Sequence, residues 1–254
     1  MPPAGSDKQI IKPPILYKET QQLFDAIEKK TGGKLLCYWN SVNGNICQND
    51  VSVLYETIRD WGVQETLYFF IKSNGGDGKA SLRIINLLRQ HTKRLVVVAQ
   101  GECASAATML ALGADEILMG PLAYLSAVDT SLTHDLSPVD RNNNLVSVNQ
   151  DELSRVLKLW NKEGNDTNPY QALYPHIHPL VFGAVDRASS LSIKLCTDIL
   201  SYHMQDQAKA QEIGRRLNED YPAHGYPIIL REAQKLGLNA RGLDKELNDL
   251  FFNL

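Results

Sequence analysis

Two short stretches of this 254-residue chain carry residue types and spacing suited to attack on a carbonyl group. In "VVVAQGECASAAT" (96–108), Ser105 follows an apolar run and opens a helical segment, with small neighbours at Ala104, Ala106 and Ala107 that leave room for a substrate backbone. A serine there sits beside unpaired backbone donors, and the helix dipole favours developing negative charge by ~0.3–1 kcal/mol. In "IKSNGGDG" (71–78), Gly75 and Gly76 let the chain turn its amides outward with no Cβ in the way of a ligand. The amide of Ala106 with that of Gly75 or Gly76 would form an oxyanion hole, in which one donor is typically worth about 2.7–4 kcal/mol in the transition state. Each feature has an ordinary structural alternative: Ser105 as a helix N-cap, the glycine pair as a tight turn.

Such a site needs both turns at one edge of a sheet. "TLYFFIKS" (66–73) and "RLVVVAQG" (94–101) read as buried strands, with a helix over "GKASLRIINLLRQH" (78–91) between them. "KLLCYWN" (34–40), "DEILMG" (115–120) and "AYLSAVD" (123–129) read as further strands. Helices are predicted from Thr20 to Lys30, around Leu54, Ile58 and Trp61 after "QND", and from Ser105 to Leu112. Strands apolar on both faces and alternating with helices make an α/β core of parallel, right-handed units, and consecutive parallel strands bring both turns to one carboxyl edge. Residues 1–19 are expected to form an extended arm and 20–254 a single domain. Within that domain, 130–150 ("THDLSPVDRNNNLVSVNQ" at its heart) is a polar surface excursion, with a short strand at "NLVSV" (144–148). The region 151–254 is mainly helical, over 151–160, 179–203, 206–217, 227–236 and 243–252.

Composition excludes several classes. A formal net charge of −3 gives no basic field for nucleic acid, and 43% hydrophobic with 22% charged residues is ordinary for a soluble globular protein. The four cysteines show no CxxC spacing, so neither a zinc site nor a disulfide framework is indicated, and free thiols fit the cytoplasm. No stretch reaches the ~18 apolar residues of a membrane span, and the prolines near the N-terminus argue against a signal peptide. The histidines of "HIHP" (His176, His178) have ligand-like spacing but lack a nearby carboxylate or cysteine partner, and with His134 they read as solvated loop residues, so no metal and no cofactor is expected.

The run "IKSNGGDG…VVVAQGECASAATMLALGADEILMGPLAYLSAVD" resembles the Clp protease/crotonase superfamily, and within it the serine dehydrogenase proteinase-like branch related to signal peptide peptidase A. "DYPAHGYPIILREAQKLGL" (220–238) is similar to a second signature of that branch. The resemblance implies a crotonase/Clp protease-like spiral of β-β-α units with a helical C-terminal region. It further implies serine peptidase chemistry on a peptide or protein substrate without ATP or metal in the subunit, and assembly of copies into a ring or cage. Ser105 matches the nucleophile; Gly75, Gly76 and Ala106 match the oxyanion-hole segments. The chain departs from the Clp pattern where a histidine belongs in the strand after the nucleophile helix: here stand Val128 and Asp129.

A base must therefore come from elsewhere, because a serine hydroxyl is a weak nucleophile at neutral pH. His224 in "AHGYPI", oriented by Asp129, ranks first; Lys194 in "SSLSIKLC" with a burial-lowered pKa ranks second; Lys158 in "LSRVLKLW" ranks third. Their ordinary alternatives are a turn histidine and lysines on exposed helix faces. Two other functions compete with a peptidase: a crotonase-type acyl-CoA enzyme using Glu102 as base, and a non-catalytic oligomeric scaffold of the same fold.

Overall fold

The computed structural model describes residues 17–129, 131–162 and 168–254. Its central sheet is built from β1 (Lys34–Trp39), β2 (Gln64–Ser73), β3 (Thr92–Cys103), β4 (Glu116–Met119) and β8 (Ala240–Gly242), in that spatial order and parallel throughout. Successive strands are joined by α2 (Gln48–Ile58), α3 (Gly78–Gln90) and α4 (Ala106–Leu112), so the chain advances one strand at a time in one direction, a spiral rather than a doubly wound sheet. β5 (Tyr124–Leu125) follows β4 after a turn closed by the Ala123 amide on the Gly120 carbonyl. Both pair with β3: β4 along Val96–Ala99, β5 at Glu102–Cys103.

The apolar runs of the strands have a direct cause. In β3, Leu95, Val97 and Ala99 pack into the layer of α2–α4, while Val96 and Val98 pack into a second layer with Ile27 and Phe251. Those two residues belong to α1 (Tyr17–Thr31) and α10 (Lys245–Asn253), which cover the opposite face; Phe251 stacks on Phe70 at 5.5 Å between ring centroids. With both faces covered, a polar residue has no solvated side to occupy. The predicted arm falls outside the described residues as far as position 16, and Tyr17–Glu19 belong to α1.

The C-terminal half contributes α7 (Pro179–Leu200), packed on α3 and α4, and α8 (Gln207–Glu219), packed on α7, followed by α9 (Leu230–Lys235). The excursion is more organised than its polarity suggested. β6 (Ser131–Leu132) pairs antiparallel with β7 (Val148–Asn149), and α5 (Gln150–Lys162) and α6 (Pro169–Leu173) follow. Val148 and Leu153 are buried against Val181 and Val185 of α7, a small core of their own. The strand predicted over 144–148 starts at its last residue; ahead of it Asp140 takes up the amides of Asn142 and Asn144, an arrangement that favours a turn. "AYLSAVD" is strand only at Tyr124–Leu125, because β3 ends opposite them. α6 and β8 were not predicted; β8 is three residues long, too short for an alternation to register.

Candidate active site

β2 and β3 end side by side. Their register shifts after Ile71, Ser73 pairs with Cys103, and the Ala104 amide donates to the Ser73 carbonyl at 3.0 Å. The next residues of each strand therefore meet. Gly75 and Gly76 hold φ of +110° and +143°, a backbone that L side chains rarely adopt. A methyl group on Gly75 would lie 2.7 Å from the Ser105 Cβ and 3.1 Å from the Ala106 nitrogen, so the bend rests directly on the serine turn. Its other side is clamped by Ile46, whose amide donates to Gly75 O and whose carbonyl accepts from Asp77 N, both at 2.8 Å.

The two glycine amides are not equivalent. That of Gly75 donates to Ser73 Oγ at 3.1 Å, and this hydroxyl donates to Asn40 Oδ1 at 2.6 Å. Among the described residues the amides of Gly76 and Ala106 donate to no protein acceptor. Both residues line one cleft of about 420 Å³.

Ser105 precedes α4 with φ +53° and ψ −119°, and its side chain makes no cap hydrogen bond. The ordinary N-cap role is thus excluded, since a cap residue occupies extended backbone and spends its oxygen on the helix. Backbone of this kind costs of order 1–3 kcal/mol and persists only where neighbours enforce it. It has the form of the sharp strand-to-helix turn that exposes the nucleophile of α/β-hydrolases. Two fully buried hydroxyls surround it: Ser105 N donates to Ser126 Oγ at 2.7 Å, and Ser126 N donates to Thr108 Oγ1 at 2.9 Å.

Asp129 and His224 line the same cleft, and His224 Nδ1 lies 2.7 Å from Asp129 Oδ1. They are brought together through β5. Leu125 and Ile228 exchange both backbone hydrogen bonds, at 3.0 and 2.8 Å, which fixes the turn bearing His224 beside the segment leading to Asp129. That segment is anchored in turn by Val128 N on Leu217 O at 3.0 Å and by the Ser192 hydroxyl on Val128 O. The hydrogen bond to Asp129 raises the His224 pKa above its usual value; burial opposes it and the aspartate charge adds to it. With Nδ1–H donated to the carboxylate, Nε2 carries the lone pair. Met109, Val128, Leu191 and Leu195 supply apolar walls.

The other candidates lie elsewhere. Lys194, second among the predicted bases, faces outward from α7 with its side chain 69% exposed and paired to Asp198, away from the Ser105 cleft. Lys158 lines a separate cleft between α5 and α8 with Asp151 and Glu219. Glu102 lines a third, with Trp39 and Lys72. His178 caps α7, its Nδ1 accepting from Leu180 N, and His134 Nδ1 accepts from Leu136 N. Ser73, Ser126, Thr108 and Ser192 were missed; the available signal was a serine inside an otherwise apolar strand, as in "YLSAV", which must find buried partners.

Residues 18–119 match the family model described as Clp protease. An uncharacterized protein of Methanocaldococcus jannaschii, MJ0137, is 25% identical over 190 residues, 75% of this chain; the chain spans 58% of that protein's length. Two solved structures of mutants of the 1510-N membrane-bound stomatin-specific protease, one in complex with a substrate peptide, are each 14% identical over 85% of this chain. They are covered to 81% and 76%, with TM-scores of 0.48 and 0.47. The stretch matched by the Clp protease model carries β1 to β4, the glycine bend and Ser105, all within a parallel α/β sheet.

Proposed function

We propose that the chain is a serine peptidase in which Ser105 is the nucleophile, His224 the general base, Asp129 its orienting carboxylate, and the amides of Gly76 and Ala106 the oxyanion hole. The observation that carries this reading is the contact between the Gly75–Gly76 bend and a Ser105 held at positive φ with its hydroxyl unspent. Ser105 Oγ attacks the peptide carbonyl carbon as its proton passes to His224 Nε2, and the carbonyl oxygen takes up negative charge before the two amides. The imidazolium then protonates the leaving amine as the C–N bond breaks, leaving an ester on Ser105. Water, deprotonated by His224, attacks that ester; the acid product leaves and Oγ recovers its proton.

Gly76 rather than Gly75 is the second donor because the Gly75 amide is committed to Ser73. Glu102 lies outside the Ser105 cleft, which removes the carboxylate base from the acyl-CoA alternative. Assembly into a ring or cage belongs to the same proposal, and sedimentation of the purified chain tests it. The reading itself is tested with a fluorophosphonate probe: wild-type protein should be labelled on Ser105 and cleave peptides, and Ser105→Ala should do neither. Labelling that persists in Ser105→Ala, or a wild type inert at every pH while normally assembled, sinks the peptidase in favour of a scaffold.

A further inference from the structure

The hydroxyl pair behind the serine turn does not face the cleft, yet every bond it makes fixes the turn's backbone. At φ +53° the Ser105 amide points away from β2, which has already taken the Ala104 amide, and towards the chain leaving β5. Ser126 meets it there: its Oγ accepts from Ser105 N at 2.7 Å and donates to Ala127 O at 2.9 Å. The Ser126 amide donates to Thr108 Oγ1 at 2.9 Å, and that hydroxyl donates to Cys103 O at 2.8 Å. Both side chains are wholly buried, and each hydroxyl has one donor and one acceptor partner, so burial leaves neither unsatisfied. The four bonds tie the last residue of β3, the start of α4 and the chain leaving β5 into one unit.

We propose that Ser126, supported by Thr108, is a positioning residue for Ser105: it holds the Ser105 amide so that the turn stays at positive φ and the Ala106 amide faces the cleft. The kinetic consequence rests on the peptidase reading; the structural consequence does not. An unpartnered Ser105 amide in this buried setting would be costly, and the chain's cheapest escape is rotation out of the strained region. The sequence marks Ser126 only as a lone polar residue in "YLSAVD".

The test compares Ser126→Ala with Ser126→Thr and with Ser189→Ala, which removes a buried serine hydroxyl bonded to Asn218 rather than to the turn. In Ser126→Ala the rate of labelling and kcat should fall about tenfold to a hundredfold, the scale on which misplacement by about 1 Å acts. KM and the acid limb of the pH profile should stay put, because Ser126 does not line the cleft and bonds only Ser105, Thr108 and Ala127 among the described residues. Ser126→Thr should regain most of the rate, while Ser189→Ala should lose stability alone. A crystal structure of Ser126→Ala decides the matter even if the wild type proves inert. Ser105 shifted to negative φ supports the assignment, and Ser105 held near the wild-type φ of +53° overturns it.

Discussion

The two halves of the proposed site, the Ser105 turn with the glycine bend and the Asp129–His224 pair, are built by opposite means. Ser105, Gly75, Gly76 and Ala106 lie on adjacent strand ends, are specified by backbone conformation, and are braced by buried hydroxyls of Ser73, Ser126 and Thr108. Asp129 and His224 meet through the Leu125–Ile228 bridge and their own hydrogen bond, and the histidine side chain is 49% exposed. Stability and chemistry are inseparable in the first half and nearly independent in the second. On the proposed reading, the fold keeps the rigid part of the site in its sheet and draws the base from a surface turn, where exchange of one residue for another costs the core little.

That difference can be broken by mutation. The largest rate effect belongs to the loosely built half: His224→Ala should lower kcat/KM by about 10²–10⁴-fold, the usual range for a general base. Thermal denaturation should show less than about 1 kcal/mol of lost stability, because a half-exposed ion pair contributes little. Gly75→Ala should do the reverse in proportion. It should cost stability by ~1–3 kcal/mol through a side chain at positive φ, and rate by about 10²–10³-fold as the bend is pushed off Ser105. Equal stability losses in the two variants would erase the contrast.

Smaller effects refine it. Because Asp129 raises the His224 pKa, the acid limb of kcat/KM in the wild type should lie above the unperturbed histidine value of about 6.5. Asp129→Asn should move that limb to lower pH and reduce the plateau, as a steady-state pH profile will show. The sign for stability is opposite: the pair is at full strength below about pH 6.5, where the unfolded histidine is also protonated, and is lost as pH rises through the elevated folded pKa. Lys194→Ala should leave kcat/KM unchanged within about twofold, an exposed surface substitution.

The same contrast explains what the sequence could disclose. β2, β3 and the turns after them were legible because buried parallel strands read as unbroken apolar runs and because glycines and a serine stand at their ends. Ser105's strain was not, since φ is imposed by Gly75, Ala104 and Ser126 acting together and leaves no pattern in "CASAA". His224 stood out for its place in "AHGYPI" and Asp129 was named as its partner, whereas the Leu125–Ile228 bridge that brings them together joins residues a hundred positions apart in a segment with no strand periodicity. The lysines ranked below His224, with exposed helix faces as their ordinary alternative, and Lys194 does face solvent while Lys158 lines a separate cleft. The excursion read as loop because its small core of Val148, Leu153, Val181 and Val185 draws on separate segments, none apolar enough alone.

The most direct measurement is a crystal structure of the protein reacted with a peptidyl phosphonate. The account predicts phosphorus bonded to Ser105 Oγ, the phosphonyl oxygen about 2.7–3.1 Å from the amide nitrogens of both Gly76 and Ala106, and His224 Nε2 within hydrogen-bonding reach of the leaving-group side. An adduct on another residue, or one whose oxygen turns away from the glycine bend, contradicts it.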